Sequence, residues 1–139
     1  MVKPIVIDTS IFIEYIRRGT LLEQIVESAV KLNKKIYVPV IVLGEIFSGS
    51  SMKKESERHD FVKMIRGMET IDINTKMAVE YGKLKRNKLA LGNDAWIGAC
   101  SLVLGADLAT LNIKDFEKIK GLKLYRKIND KIQRDVKNQ

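Results

Sequence analysis

Four acidic residues lie where a carboxylate is costly, beside or inside apolar segments of the chain. They are Asp8, Glu45, Asp94 and Asp115. Asp8 ends one apolar run, Glu45 lies inside another and Asp94 opens a third. An ionised carboxylate in apolar surroundings costs free energy unless a positive group meets it. We therefore expect these four residues to share a counter-ion, and a divalent metal is the hypothesis.

The order of these residues along the chain predicts one site with hydrolytic chemistry. In open α/β sheets, ligands bind beyond the carboxyl ends of the strands, and right-handed crossovers can bring those ends together. Carboxylates gathered there would raise one another's pKa, and Mg²⁺ or Mn²⁺, which prefer oxygen ligands, would relieve that repulsion. Such an ion can polarise a phosphodiester and activate water. An acidic metal site in a basic protein suits nucleic-acid hydrolysis.

Simpler explanations exist for each residue taken alone. Helix capping explains Asp8 and Asp94 individually. Asp115 could be a surface residue of a short helix. Glu45 is the hardest to explain away, because the residues around it are apolar and no neighbouring Lys or Arg pairs with it in sequence. The evidence for a site is the joint pattern of the four residues.

Composition limits the classes of protein that the chain could represent. The 139 residues carry a net charge of +8, with 45% apolar and 30% charged residues. The single cysteine, Cys100, excludes an internal disulfide and suits a reducing cytoplasm, and with one histidine, His59, a zinc site of the usual type cannot form. No apolar run approaches the length of a membrane span. The basic charge favours a polyanionic partner such as RNA, but a Lys/Glu-rich surface explains it equally well.

Apolar segments of two kinds alternate along the chain and predict an α/β fold. Strands are expected at 5–7, 35–39, 70–73, 107–110 and 122–125. Helices are expected at 11–16, 21–32, 40–50, 55–66, 75–88, 94–104 and 113–119. This alternation predicts a three-layer α/β/α sandwich around a mainly parallel sheet of four to five strands. In the helix at 75–88 we expect the inward-facing residues to be Ala78, Val79, Gly82 and Leu89.

Two basic segments allow more than one interpretation. Residues 1–125 are expected to form one domain, and 126–139 a basic helical tail with Ile128, Ile132 and Val136 on one stripe. The tail could pack back on the domain, form a dimer contact or face RNA. A second basic run precedes Asp94, and its members are Lys83, Lys85, Arg86 and Lys88. A solvated helix face explains this run, and contact with RNA phosphates is the alternative.

Four segments of the chain resemble the motifs of PIN-domain proteins, in the same order and spacing. They are 6–12, 38–46, 93–99 and 109–116. The first resembles an apolar strand ending in Asp-Thr/Ser-Ser/Asn. The likeness spans about residues 2–125, and the size of the chain is most similar to VapC-type toxins. The resemblance implies a Mg²⁺- or Mn²⁺-dependent endoribonuclease that forms a homodimer and is inhibited by a small antitoxin.

The same resemblance assigns roles to residues at the matching positions. It implies that the acidic ligands are Asp8, Glu45, Asp94 and Asp115. Ser10 and Thr110 would orient a carboxylate or a water through their hydroxyls. Asn112 stands where some relatives have Asp, so the fourth ligand is contested between Asn112 and Asp115. Trp96 departs from the commoner pattern and is expected to pack in the core or at the rim, with base stacking as the alternative.

Two other functions are compatible with parts of the pattern. A catalytically idle PIN module would bind RNA or protein through the basic surface and lack a competent metal site. A phosphohydrolase of haloacid-dehalogenase type would use Asp8 as its nucleophile. That chemistry needs a second Asp two residues later, and the chain has Ser10 there.

Overall fold

The first strand lies at the centre of a parallel sheet. A computed structural model describes residues 2–125 of the chain. The strand β1 (Ile5–Ile7) has all three side chains fully buried. A strand that buries both faces needs helices above and below the sheet, which is why this segment is apolar without alternation.

Five strands, all parallel, form this sheet in the order β3-β2-β1-β4-β5. The other strands are β2 (Ile36–Pro39), β3 (Glu69–Ile71), β4 (Asp107–Ala109) and β5 (Lys123–Leu124). β1 pairs with β2 on one side and with β4 on the other. The predicted α/β class and the parallel sheet are confirmed.

Seven α-helices connect the strands within residues 2–125, together with a short 3₁₀ helix at Ser50–Lys53. They are α1 (Thr9–Ile16), α2 (Leu21–Leu32), α3 (Val40–Phe47), α4 (Glu55–Ile65), α5 (Thr75–Arg86), α6 (Gly92–Leu104) and α7 (Ile113–Phe116). The chain moves outward from β1 to β3, then crosses to β4 and continues to β5. Right-handed crossovers therefore place α1 to α4 on one face and α5 to α7 on the other, which makes three layers.

The inward face of α5 differs from the prediction. Ala78 and Val79 are exposed, and Val79 keeps 55% of its surface accessible. The helix instead buries Met77 and Leu84, because α5 packs along α6, where the Met77 sulfur lies 3.6 Å from that of Cys100. The predicted inward positions 78 and 79 were wrong.

Some predictions concern parts of the chain outside the described residues. The predicted tail at 126–139, with its stripe of Ile128, Ile132 and Val136, is one of these. Among residues 2–125, no helix has the length and apolarity that crossing a membrane requires.

Candidate active site

Asp8 is a buried carboxylate at the carboxyl end of the central strand. It is 2% exposed, and its backbone occupies the position before the first turn of α1. The side chain makes no capping bond to the helix. Its Oδ2 instead accepts hydrogen bonds from Ser10 Oγ at 2.8 Å and from Thr110 Oγ1 at 2.7 Å. Capping therefore does not explain Asp8.

The two hydroxyls join the end of β1 to the end of β4. A hydroxyl has one proton to donate, and both Ser10 and Thr110 direct theirs at Asp8. Their oxygens accept backbone N–H groups, Ser10 from Leu111 at 2.9 Å and Thr110 from Asn112 at 2.9 Å. The loop after β4 is thus fixed against the start of α1, and the Asp8 carboxylate is held in one orientation.

Glu45 comes to the same place from α3. Its Oε1 accepts a hydrogen bond of 2.8 Å from Thr9 Oγ1, the residue directly after Asp8. α3 also contacts α6, although the two helices belong to opposite faces of the sheet. Helices on opposite faces of a sheet can meet only where the strands have ended. The contact between α3 and α6 therefore brings Glu45 towards the helix that carries Asp94.

Asp94 lies in the first turn of α6 and is electrostatically coupled to the other three acids. The helix begins two residues earlier, at Gly92, so Asp94 is not its cap. Burial raises the pKa of Asp94 from 3.8 to about 6, with further contributions from the charges of Asp8, Asp115 and Glu45 in that order. The fold therefore brings Asp8, Glu45 and Asp115 within electrostatic range of Asp94.

Asn112 and Asp115, the two candidates for the fourth position, occupy different places. Asn112 lines the cavity that Asp8, Glu45 and Asp94 also line. Asp115 lies on α7 with its side chain exposed, outside the cavity wall. Asn112 is therefore the nearer candidate, and Asp115 acts on the site through its charge.

The cavity has a volume of about 490 Å³ and opens at the carboxyl ends of β1 and β4. Its wall also includes residues that the sequence did not single out for the site, namely Thr9, Ile13, Glu14, Arg17, Gly19 and Leu111. Most of them belong to α1 and the turn after it. Residues three, four and seven positions after Ser10 lie on the same face of a helix. Helical spacing from Ser10 would therefore have identified Ile13, Glu14 and Arg17.

The basic run on α5 does not reach this cavity. Lys83 pairs with Glu80 at 3.4 Å, and the Lys85 ammonium lies 5.6 Å from the centre of the Tyr81 ring. The other face of Tyr81 is occupied by Trp96, whose ring stacks on it at 3.8 Å and 13°. Trp96 is half-buried in this pair, as expected for packing at the rim.

Similarity to known proteins identifies the family. The PIN domain family matches residues 5–122, which is most of the chain. The chain belongs to the PIN-domain family. This PIN domain is 33% identical over 97 residues to Ribonuclease VapC2 of Rickettsia felis, a match that covers 65% of the chain and 72% of the relative.

Solved structures with the same fold come from VapBC complexes. One is the structure of VapBC2 from Rickettsia felis bound to a DNA fragment from the VapBC2 promoter, which has a chain 30% identical to this PIN domain. The TM-score is 0.76, and the match covers 86% of this chain and 96% of the other. A chain of VapBC-1 from nontypeable Haemophilus influenzae is 25% identical, with a TM-score of 0.72. That match covers 86% of this chain and 95% of the other. The predicted family and fold are confirmed by these matches.

The donor atoms in this PIN domain suit a hard cation. The metal-binding atoms available here are oxygens. They are the carboxylate oxygens of Asp8, Glu45 and Asp94 and the side-chain carbonyl oxygen of Asn112. Within residues 2–125, no Lys, Arg or His nitrogen lies within 4.0 Å of Asp8, Glu45 or Asp94, so no side chain of this part of the chain neutralises their charge. Yet no three acidic, His or Cys side chains of the same residues converge closely enough to hold an ion directly. Mg²⁺ retains several waters and binds through one or two carboxylates, which reconciles the two observations.

Proposed function

We propose that this PIN domain is a metal-dependent endoribonuclease and the toxin of a toxin–antitoxin pair. The observation that carries the proposal is the cavity at the ends of β1 and β4, which Asp8, Glu45 and Asp94 line without a Lys, Arg or His partner among residues 2–125. The ribonuclease name of the Rickettsia felis relative supports RNA as the substrate.

Asp8, Glu45 and Asp94 would hold Mg²⁺ or Mn²⁺, one or two of them directly and the rest through water. Asn112 or, through water, Asp115 would complete the site. When bound, the ion supplies Lewis acidity that polarises a phosphodiester and lowers the pKa of a water. Ser10 and Thr110 hold Asp8 in one orientation by donating to one of its oxygens. Within residues 2–125 the other oxygen accepts from no side chain. Thr9 orients Glu45 in the same way. Water is the nucleophile, and no covalent enzyme intermediate forms.

Replacing Asp8 with Asn tests the proposal. The amide is nearly isosteric and its oxygen can still accept from Ser10 and Thr110, so the fold should persist while metal affinity falls. We expect Asp8→Asn to reduce cleavage of a single-stranded RNA by at least about 100-fold, and EDTA to abolish cleavage by the unmodified protein. Asp72→Asn, at an exposed position outside the cavity, is the matched control and should retain full activity.

Circular dichroism and the melting temperature of each variant establish that the fold is intact. Full cleavage by Asp8→Asn, or by the unmodified protein in EDTA, would refute the proposal.

The alternative function is an idle module that binds RNA or protein without cleaving. It is favoured by the absence, among the described residues, of three side chains converged to hold an ion. Isothermal titration with Mn²⁺ separates the two functions. A binding isotherm that disappears in Asp8→Asn supports the nuclease, and no heat of binding at millimolar Mn²⁺ supports the module.

The partners form a further part of the proposal. The similarity to chains of VapBC complexes supports a small antitoxin as inhibitor. We also propose a homodimer, a cytoplasmic location, and a division of the chain into a nuclease domain at 1–125 and a basic tail at 126–139. Light scattering should give twice the 15.8 kDa of one chain. Expression of the chain should arrest growth, and co-expression of the product of a short neighbouring reading frame should restore it.

A further inference from the structure

Arg17 is the single cation among the described residues that line the acidic cavity. It directly follows the last turn of α1, whose face carries Ser10, Ile13 and Glu14 into the same wall. Four acids share this wall with it, and they are Asp8, Glu14, Glu45 and Asp94. A cavity of this charge repels a polyanion, so the position of a lone guanidinium within it affects whether RNA can enter.

Within the described part of the chain, no carboxylate neutralises this guanidinium. Within residues 2–125, no acidic oxygen lies within 4.0 Å of Arg17, although four carboxylates line the same cavity. Asp8 and Glu45 are engaged by hydroxyl donors of their own. An arginine whose role was only to neutralise the acids would pair with one of them. As far as residues 2–125 are concerned, the Arg17 guanidinium has no acidic partner and is available to an anion from outside.

Glu14 is the acid closest to Arg17 in sequence, and the fold holds it elsewhere. Its Oε1 accepts the backbone N–H of Leu21, in the first turn of α2, at 3.2 Å. The carboxyl group lies against the backbone of Gly19, where any Cβ would overlap it. Glycine at position 19 therefore leaves room for Glu14 to turn towards α2, and this arrangement keeps Glu14 from pairing with Arg17.

We propose that Arg17 forms an RNA phosphate subsite at the mouth of the cavity, binding a backbone phosphate next to the one that is cleaved. The inference rests on the proposed ribonuclease function. A guanidinium can donate two parallel hydrogen bonds to phosphate oxygens, a geometry that a lysine cannot reproduce. Arg17 is thus a positioning residue, whereas the acids act at the scissile phosphate.

The test uses two adjacent arginines in the full chain. Arg18 is also exposed but lines a different pocket, so Arg18→Gln removes the same charge without touching the acidic cavity. Binding of a fluorescein-labelled single-stranded RNA 12-mer is measured by anisotropy in Mg²⁺, with Asp8→Asn in every variant to prevent cleavage. We expect Arg17→Gln to weaken binding about 10-fold and Arg18→Gln to change it less than about 2-fold.

Two further readouts separate phosphate binding from a merely structural role. The slope of log Kd against log salt should fall by about 0.7 in Arg17→Gln, the value for one lost phosphate contact on a single strand. Arg17→Lys should restore that slope and recover only part of the affinity. In the cleaving protein, Arg17→Gln should raise KM more than it lowers kcat.

The outcomes distinguish this inference from the proposed function. If the unmodified protein cleaves RNA and Arg17→Gln binds like Arg18→Gln, the subsite is refuted and the nuclease stands. If the unmodified protein neither binds nor cleaves RNA, both are refuted. A loss of affinity in Arg17→Gln with an unchanged salt slope would also overturn the subsite, because no phosphate contact would have been lost.

Discussion

Asp8 shows how a single residue can be costly for folding and useful for chemistry. Its carboxylate is buried, and two neutral hydroxyls satisfy one of its oxygens. Hydroxyl donors satisfy a carboxylate oxygen without cancelling its charge, whereas a paired Arg or Lys would cancel it. The remaining charge is then available to a cation from solution. The same reasoning applies to Glu45, which accepts a hydrogen bond from the Thr9 hydroxyl.

Asp94 is predicted to destabilise the metal-free protein at neutral pH. Burial, followed by the charges of Asp8, Asp115 and Glu45, raises its pKa from 3.8 to about 6. A carboxyl whose pKa is higher in the folded protein lowers the free energy of unfolding above that pKa. This loss of stability disappears as the pH falls from the pKa of Asp94 in the folded protein towards its pKa in the unfolded chain. Asp94→Asn should therefore raise the Tm of the EDTA-treated protein at pH 8, with the difference shrinking between pH 6 and pH 4.

Because Asp94 is only half-buried, solvent screening keeps this effect small, about 2 °C in Tm. Differential scanning fluorimetry across pH 4 to 8 measures it, with Asp72→Asn as an exposed control. Equal Tm values for Asp94→Asn and the unmodified protein at every pH would contradict the repulsion.

The sequence identified the acids of the site more readily than the residues that hold them. Asp8, Glu45 and Asp94 are conspicuous because they interrupt apolar segments, and the fold does bring them together. Arg17 and Glu14 lie in a polar stretch at the end of a helix, where charged residues are expected anyway. They become recognisable only once Ser10 is placed in the site, because they then follow on the same face of α1 at helical spacing. The metal-binding roles of the acids stay predictions.

At the scale of elements, α5 shows where pattern reading fails. Its sequence contains two overlapping apolar stripes, one through Ala78 and Val79 and the other through Met77, Tyr81 and Leu84. Both have helical spacing, so periodicity alone cannot choose between them. The partner helix decides, because α6 places Cys100 beside Met77 and Trp96 against Tyr81. By contrast, the strongly apolar strands and α2 were predicted to within about two residues.

The helix that carries Glu45 contains a glycine that weakens it. Gly44 has ordinary helical backbone in α3, and among residues 2–125 no atom beyond its chain neighbours and its own helix backbone lies within 4 Å of the place where a Cβ would be. Gly44→Ala should therefore raise the free energy of unfolding by about 0.5–1 kcal/mol, because alanine loses less backbone entropy in a helix. Equilibrium unfolding in urea measures the change.

Gly105 provides the opposite case in the same experiment. It ends α6 with φ +63°, a backbone conformation that alanine adopts only with strain. Gly105→Ala should lower the free energy of unfolding by about 1 kcal/mol. If Gly44→Ala were destabilising instead, α3 would have to pack at that position against a part of the protein outside residues 2–125.

At the scale of the whole molecule, charge is segregated between the cavity and the rest of the chain. The cavity lining carries four acidic side chains and one basic one, whereas the chain has a net charge of +8. The remainder therefore carries +11. A polyanion would be attracted by the body of the protein and repelled by the acidic lining of the cavity. Binding and chemistry are thus expected to respond differently to salt.

We predict that salt raises KM for RNA and leaves kcat nearly unchanged. Contacts between scattered Lys or Arg and backbone phosphates release counterions, and on single strands each contact contributes about 0.7 to the slope of log affinity against log salt. Three contacts would give a slope near 2, so raising KCl from 50 to 300 mM should raise KM by roughly 40-fold. The chemical step depends on groups inside the cavity, which bulk salt screens much less.

Steady-state kinetics at fixed Mg²⁺ measures both quantities, and potassium glutamate in place of KCl controls for anion binding to the protein. The expected result is that KM rises steeply with KCl concentration while kcat stays nearly constant. A KM that does not depend on salt would mean that the basic surface takes no part in holding RNA. The +8 charge would then reflect only a Lys/Glu-rich surface. RNA would have to be recognised by contacts other than those to phosphates, and the Arg17 subsite would be contradicted as well.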